Sequence, residues 1–252
     1  GKVSLQYLVD DDLMVYGAVS RGYKTGGLNT DAFGKALVSG DAATIAQLSE
    51  QLNYQDEAAL NYELGLKGSY LDASLTVSLT AFYIDRQNMQ AKLALEITTG
   101  NWTSYRDNVE GSDNYGFELE TAWQISDQLR FFGALGLLES KLSELVVLDL
   151  NDEPLDQTGR DQAHAPAYQF NLGASYTFMD HYSLTVQMDA KDSFYFSNSH
   201  NQQSSAYELL HAQFNYQQGP LTLSFWGRNL TDKDYAVRGF YFGNNPNNGW
   251  IA

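Results

Sequence analysis

The chain has 252 residues, a formal net charge of −16, no cysteine and 4 histidines. Such acidity excludes a nucleic-acid partner, because phosphate contacts need a basic stripe. The lack of cysteine excludes disulfides and thiolate sites, and the scattered histidines lack the spacing of a zinc site.

With 17 Tyr, 21 Gly and 4 Pro, the composition suits long strands closed by short turns. Lys2–Val9 reads as a first strand, Asp10–Asp12 as a turn and Leu13–Arg21 as a second strand. Strand signal stops from Gly22 to Gln55, where GYKTGGLNTDAFG is turn chemistry and Ala42–Leu52 has a weak helical period. The clearest stretch is Glu57–Gln90. Ala58, Leu60, Tyr62, Leu64 and Leu66 alternate with Glu57, Asn61, Glu63 and Lys67. After Tyr70-Leu71-Asp72, the residues Leu75, Val77, Leu79, Ala81 and Tyr83 alternate with Ser74, Thr76, Ser78 and Thr80. Side chains with a period of two belong to a strand with one apolar and one polar face.

The pattern blurs over 91–104, which reads as a long connection. It resumes through Tyr115, Phe117, Leu119 and Trp123, turns at Ser126-Asp127-Gln128 and continues over Leu129–Leu142. Glu144–Ala165 reads as a long acidic loop. Two further hairpins follow, turning at Met179-Asp180-His181 and Gln218-Gly219-Pro220, with loops over 195–205 and 229–252. Short turns and long connections therefore alternate strictly. In an up-and-down meander this puts every short turn at one end and every long loop at the other. Together with strands of about ten residues, this asymmetry marks an outer-membrane β-barrel. Tyr70, Tyr168, Phe178, Tyr182, Tyr207 and Tyr216 stand near strand ends, where interfacial girdles lie. The pattern alone leaves two rivals: a passive porin or adhesin-like barrel, and a soluble all-β domain with its apolar face against a second sheet.

Four segments carry a family likeness. Val19–Asn29 (VSRGYKTGGLN), Tyr62–Lys67 (YELGLK), Tyr115–Glu120 (YGFELE) and Asn229–Tyr235 (NLTDKDY) stand in order along the chain. They resemble segments of TonB-dependent outer-membrane receptors. The resemblance implies an all-β antiparallel transmembrane barrel of about 22 strands around an N-terminal plug, of which residues 1–252 would be the C-terminal portion, with plug and final strand absent. It implies short periplasmic turns, long extracellular loops, a bacterial outer-membrane location, TonB as partner through the plug, and energised import of a ferric siderophore or related iron complex.

No catalytic constellation, resident metal or cofactor is expected. Glu118 and Glu120 share a strand face, which suits a polar lumen better than paired-carboxylate catalysis. Asp149–Glu153 offers oxygen ligands without the spacing of a calcium loop. Arg21, Tyr23, Lys24 and Asn29, where a strand enters a long outer loop, are candidate ligand contacts. So are Arg160 and His164 at another loop end, because cations and aromatics suit an anionic iron complex. Arg86, Arg106 and Arg228 are expected to pair with lumen carboxylates such as Glu118.

Overall fold

A computed structural model describes residues 1–98, 101–148, 154–198 and 200–239. The elements are β1 (Lys2–Leu8), β2 (Leu13–Lys24), β3 (Gly27–Leu28), α1 (Thr30–Ser39), α2 (Ala42–Glu50), β4 (Asn53–Tyr54) and β5 (Glu57–Tyr70). They continue with β6 (Leu75–Thr98), β7 (Asn101–Gln124), β8 (Leu129–Leu142), β9 (Val146–Leu148), β10 (Pro154–Asp156), β11 (Tyr168–Phe178), β12 (Tyr182–Lys191), β13 (Tyr207–Gln218) and β14 (Leu221–Gly227). One 10-stranded antiparallel sheet runs β1-β2-β5-β6-β7-β8-β11-β12-β13-β14, a simple meander with β1 and β14 at its edges. Two small ribbons, β3–β4 and β9–β10, lie in the long connections.

The register turns the sequence alternation into two faces. Tyr7, Val15, Leu66, Leu79, Leu119, Leu135, Phe170 and Ala190 form one apolar row across the sheet. One residue along each strand, Gln6, Tyr16, Gly65, Thr80, Glu118, Gly136, Gln169 and Lys191 form the adjacent row on the other face. No second sheet covers the apolar face among the described residues. Leu64 stays 68% exposed and Phe117 54%. A sandwich would bury both, so the soluble two-sheet expectation does not hold.

Aromatic rows bound the apolar band. Tyr62, Tyr83 and Tyr115 are cross-strand partners toward the long-loop end. Toward the short-turn end lie Tyr70, Trp123 and a stack of Phe178, Tyr182, Phe214 and Tyr216, with the Tyr182 and Tyr216 rings 5.1 Å apart. From Tyr62 to Tyr70 the strand advances about 27 Å, or about 20 Å along the normal at the usual barrel tilt, close to the height of a lipid-facing band. Tyr207 departs from the expected girdle. Its register with Lys191 places it on the polar face, where it is buried and stacks on Tyr235 at 4.6 Å.

On the polar face, aromatic rings lie flat over cross-strand glycines. A Cβ on Gly65 would meet the Tyr16 ring at 2.5 Å, and the Tyr16 hydroxyl reaches Thr80 Oγ1 at 2.8 Å. Phe132 lies over Gly173 in the same way.

Two expectations are corrected. The stretch 91–104 is not a loop, because β6 and β7 continue as one ladder up to Thr98↔Asn101. Alternation persists there in Met89, Ala91, Leu93, Leu95 and Ile97, but its apolar face packs on loop residues. Met89 lies with Leu142, Leu145 and Val147, while Leu93, Leu95 and Tyr105 lie against Ala32, Ala36 and Leu48 of the helices. Second, residues 30–39 form α1 rather than turns. Ala32 and Ala36, one helical turn apart, make its buried stripe, and Gly40 ends it at φ 73°, a left-handed geometry that suits glycine. α2 matches its weak sequence signal and is capped by Asp41, whose carboxylate accepts from Thr44 N at 2.7 Å. The Asp149–Glu153 stretch and most of the terminal Asn- and Gly-rich stretch lie outside the described residues.

Candidate functional site

The long-connection end of the polar face carries a continuous side-chain network. Glu57 opens β5, and Arg86 on β6 is its diagonal neighbour across the ladder, because Arg86 pairs with Ala59. Arg86 Nε and Nη2 donate to Glu57 Oε1 at 3.1 and 2.6 Å, and Gln90 N donates to Glu57 Oε2 at 2.9 Å. Arg86 Nη1 donates to Gln162 Oε1 at 2.8 Å. Gln162 Nε2 in turn donates to Asn114 Oδ1 on β7 at 2.6 Å and to Ser140 Oγ on β8 at 2.8 Å. Glu57, Gln162 and Ser140 are all buried. One loop glutamine thus ties the 143–167 connection to the wall formed by β5 to β8. A buried charge must be paired, and this one is. The partner of Arg86 is Glu57 rather than Glu118, which lies lower in the wall with Thr80 and Gly136 as register partners.

The six residues singled out in the sequence do not converge. Arg21 and Tyr23 pair with Leu60 and Ala58, on the same face as Tyr62 and Leu64, and the Tyr23 side chain points away from the network. Lys24 pairs with Glu57 and shares the polar face with it. Asn29 is buried and fully used within the protein. Its Nδ2 donates to Gln51 O at 2.7 Å and Arg106 O at 2.6 Å, and its Oδ1 accepts from Arg106 N at 2.9 Å. It thus copies a strand pairing and pins the 25–56 connection to β7. Replacing it with alanine orphans three backbone groups, so Asn29→Ala is expected to destabilise this connection by about 2–3 kcal/mol. Hydrogen exchange should accelerate over 28–52 while β11 and β12 keep their protection.

Arg160 and His164 both reach Tyr195, at the seam between the 143–167 and 192–206 connections. Arg160 donates to His200 O at 2.7 Å, Ser197 O at 2.8 Å and Asn201 Oδ1 at 2.9 Å, and its guanidinium stacks 4.2 Å from the Tyr195 ring centre. His164 N donates to Tyr195 O at 2.9 Å, and its ring lies 5.2 Å from that of Phe194. Burial, reinforced by the Arg160 charge, pulls the His200 imidazole down to about 4 from 6.5. The folded loop therefore keeps His200 neutral where the unfolded chain would bind a proton. Stability of the 192–206 connection is expected to fall as pH drops from about 6.5 through about 4 and to level off below. Hydrogen exchange corrected for intrinsic rates measures this, and His200→Gln should flatten the profile.

Sequence reasoning missed Gln162, Asn114 and Ser140 altogether. The only local signal for Asn114 and Ser140 is polarity at an inward-facing register position, and Gln162, in a loop, has none. Among the described residues no cluster of His, Asp and Glu could hold a metal ion.

A family model described as "TonB dependent receptor-like, beta-barrel" matches residues 1–230. The chain belongs to this family. The receptor barrel is 22% identical to the metal-pseudopaline receptor CntO of Pseudomonas aeruginosa over 258 aligned residues, covering 100% of this chain and 31% of that protein. It thus spans about a third of the length of the curated relatives it matches. Among solved structures, the ferric yersiniabactin uptake receptor FyuA from Yersinia pestis superposes with a TM-score of 0.71 at 19% identity, over 96% of this chain and 34% of that one. The siderophore receptor PiuA from Acinetobacter baumannii gives 0.70 at 18%, over 93% and 32%, and the copper transporter OprC gives 0.68 at 15%, over 93% and 34%. At such identities the likeness is one of fold. The relatives are transport receptors, not enzymes. In this family's architecture the apolar face is the outside of the barrel, and the network of Glu57, Arg86 and Gln162 lines the inside.

Proposed function

We propose that residues 1–252 are the C-terminal portion of the barrel of a bacterial outer-membrane receptor that imports a ferric siderophore or related iron complex. The observation that carries this reading is the division of the sheet. An apolar band between aromatic rows suits lipid, and the packed, polar crown at the long-loop end suits capture of a hydrophilic cargo. The relatives, receptors for metal-pseudopaline, ferric yersiniabactin and a siderophore, point the same way. In this reading outer-membrane lipid surrounds Leu64, Leu66 and Leu79, and TonB acts through a plug domain carried outside this chain. Lys24, Arg160 and His164 stand on the cargo side. Arg21 and Tyr23 stand at the membrane boundary, and Asn29 shapes the loop without touching cargo.

The test is uptake of labelled iron complexes by cells with and without the intact gene, each with and without TonB. Gene- and TonB-dependent uptake of at least one complex is expected. Unchanged uptake of every iron complex overturns iron import, and uptake independent of TonB turns the reading toward a passive porin. A copper complex belongs in the same panel, given the fold shared with OprC.

A further inference from the structure

The clasp around Glu57 holds more positive charge than it needs. Arg86 alone balances the Glu57 charge, with Nη2 at 2.6 Å from Oε1, while the Gln90 N–H satisfies Oε2. Yet Lys24 is the cross-strand partner of Glu57, and its charge also acts on that carboxylate. No carboxylate among the described residues lies within ion-pair distance of Lys24. Two cations thus flank one buried acid, on the inner wall of a chain whose net charge is −16. A purely structural clasp needs one.

Arg86 also keeps capacity in reserve. A guanidinium has five N–H donors, and the three hydrogen bonds to Glu57 and Gln162 use three of them. The remaining two sit on Nη1 and Nη2, and the side chain stays 29% exposed. Glu57 on one side and Gln162 on the other fix the plane of the group, so little side-chain entropy is left to lose on binding. A cation held rigid, partly desolvated and with donors unspent is built to receive an oxygen anion in a forked hydrogen bond.

We propose that Arg86, assisted by Lys24, is an anion-receiving contact in the lumen of this receptor, for cargo that presents carboxylate or similar anionic oxygens. The proposal rests on the import reading for its biology but not for its test. Gln162 and Glu57 are its positioning residues.

The test uses the purified full-length receptor in detergent, with metal-free citrate as a polycarboxylate probe in titration calorimetry. Citrate should bind, more weakly as salt rises. Arg86→Gln should weaken it at least about tenfold, and Arg86→Lys, which keeps charge but loses the fork, by a smaller factor. Lys24→Gln, an exposed change that breaks no side-chain hydrogen bond or ion pair among the described residues, should weaken it about threefold. Glu57→Gln should tighten citrate several-fold, since it removes a competing negative charge and keeps an acceptor for Arg86. A merely structural clasp would do the reverse, because loosening the wall weakens any binding. Absence of citrate binding, indifference to both Arg86→Gln and Lys24→Gln, or weakening by Glu57→Gln each overturns the proposal. Heat-modifiable gel migration identifies variants that fail to fold, and Lys24→Gln then decides. If Arg86-dependent citrate binding stands while no iron complex is imported, the import reading fails and the anion site survives.

Discussion

Leu66→Arg is expected to destabilise the barrel by about 2–4 kcal/mol, the cost of an arginine facing lipid near the bilayer midplane. Leu66 sits halfway between Tyr62 and Tyr70 on β5 and belongs to the apolar row that includes Val15 and Leu79. An arginine there has leucine and valine side chains as neighbours, and its head group must climb about 10 Å to reach an interface. Lys67→Glu makes a larger change of charge, two units against one, one residue along but on the inner face. It should change stability by no more than about 0.5 kcal/mol, since no side-chain hydrogen bond or ion pair among the described residues depends on it. Denaturant titration of the refolded receptor in lipid vesicles separates the two. Equal, small effects would mean that the apolar face does not meet lipid.

This contrast depends on the part of the fold most legible in the sequence. Period-two alternation assigned Leu60, Leu64 and Leu79 to one face and Glu57, Asn61 and Glu63 to the other, and the ladder of β5 and β6 keeps that division. β8 spans the strand expected from Leu129 to about Leu142, although glycines and mixed apolar residues hid its faces in the sequence. Alternation misled over 91–104 because there it no longer reports lipid. The apolar side of the β6–β7 extension is covered by helices and by Leu145, Val147 and Leu155, and the polar side carries Gln90 and Asn108, which bind loop carbonyls. Such mixed residues resemble loop chemistry in a linear reading. α1 was hidden for a related reason: its stripe is two alanines, whose burial depends on Leu48 and Tyr105 arriving from elsewhere.

The candidate site was less legible, because it is made by register and long-range contact. Residue type picked out Arg21 and Lys24 together, yet three positions apart on a strand means opposite faces, and only Lys24 joins Glu57. Asn29 looked like a ligand contact because its carboxamide is versatile. The same versatility lets it stand in for a strand, with a partner 77 residues away. Arg86 was recognised as a cation in need of a carboxylate, but Glu57 lies 29 residues before it and Gln162 76 after it. No local pattern encodes those pairings.

Glu57→Ala should be among the most damaging single changes at this end of the barrel, costing about 2–4 kcal/mol. Removing one partner of a buried pair leaves the other charge uncompensated, for about 3–5 kcal/mol when both are fully buried. The figure is reduced because the Arg86 side chain is 29% exposed and recovers some hydration. Gln90 N also loses its acceptor. The effect should spread along the network, since an Arg86 released from Glu57 no longer holds Gln162 Oε1 in place. Faster hydrogen exchange is therefore expected over 157–164 as well as at the start of β5. The double change Glu57→Leu with Arg86→Met removes both charges and fills similar volume, so it should be less destabilising than Glu57→Ala alone. The coupling from such a cycle isolates the pair from the rest of the wall. A double variant as unstable as the sum of its single changes would show that Glu57 and Arg86 do not act as a unit. The wall would then be held by Gln162, Asn114 and Ser140 instead. Gln162→Ala tests that alternative directly, because in the coupled network its cost is smaller than that of Glu57→Ala: it takes one donor from Asn114 Oδ1, which still accepts from Ser140 Oγ, and one from Ser140 Oγ, but leaves the ion pair intact.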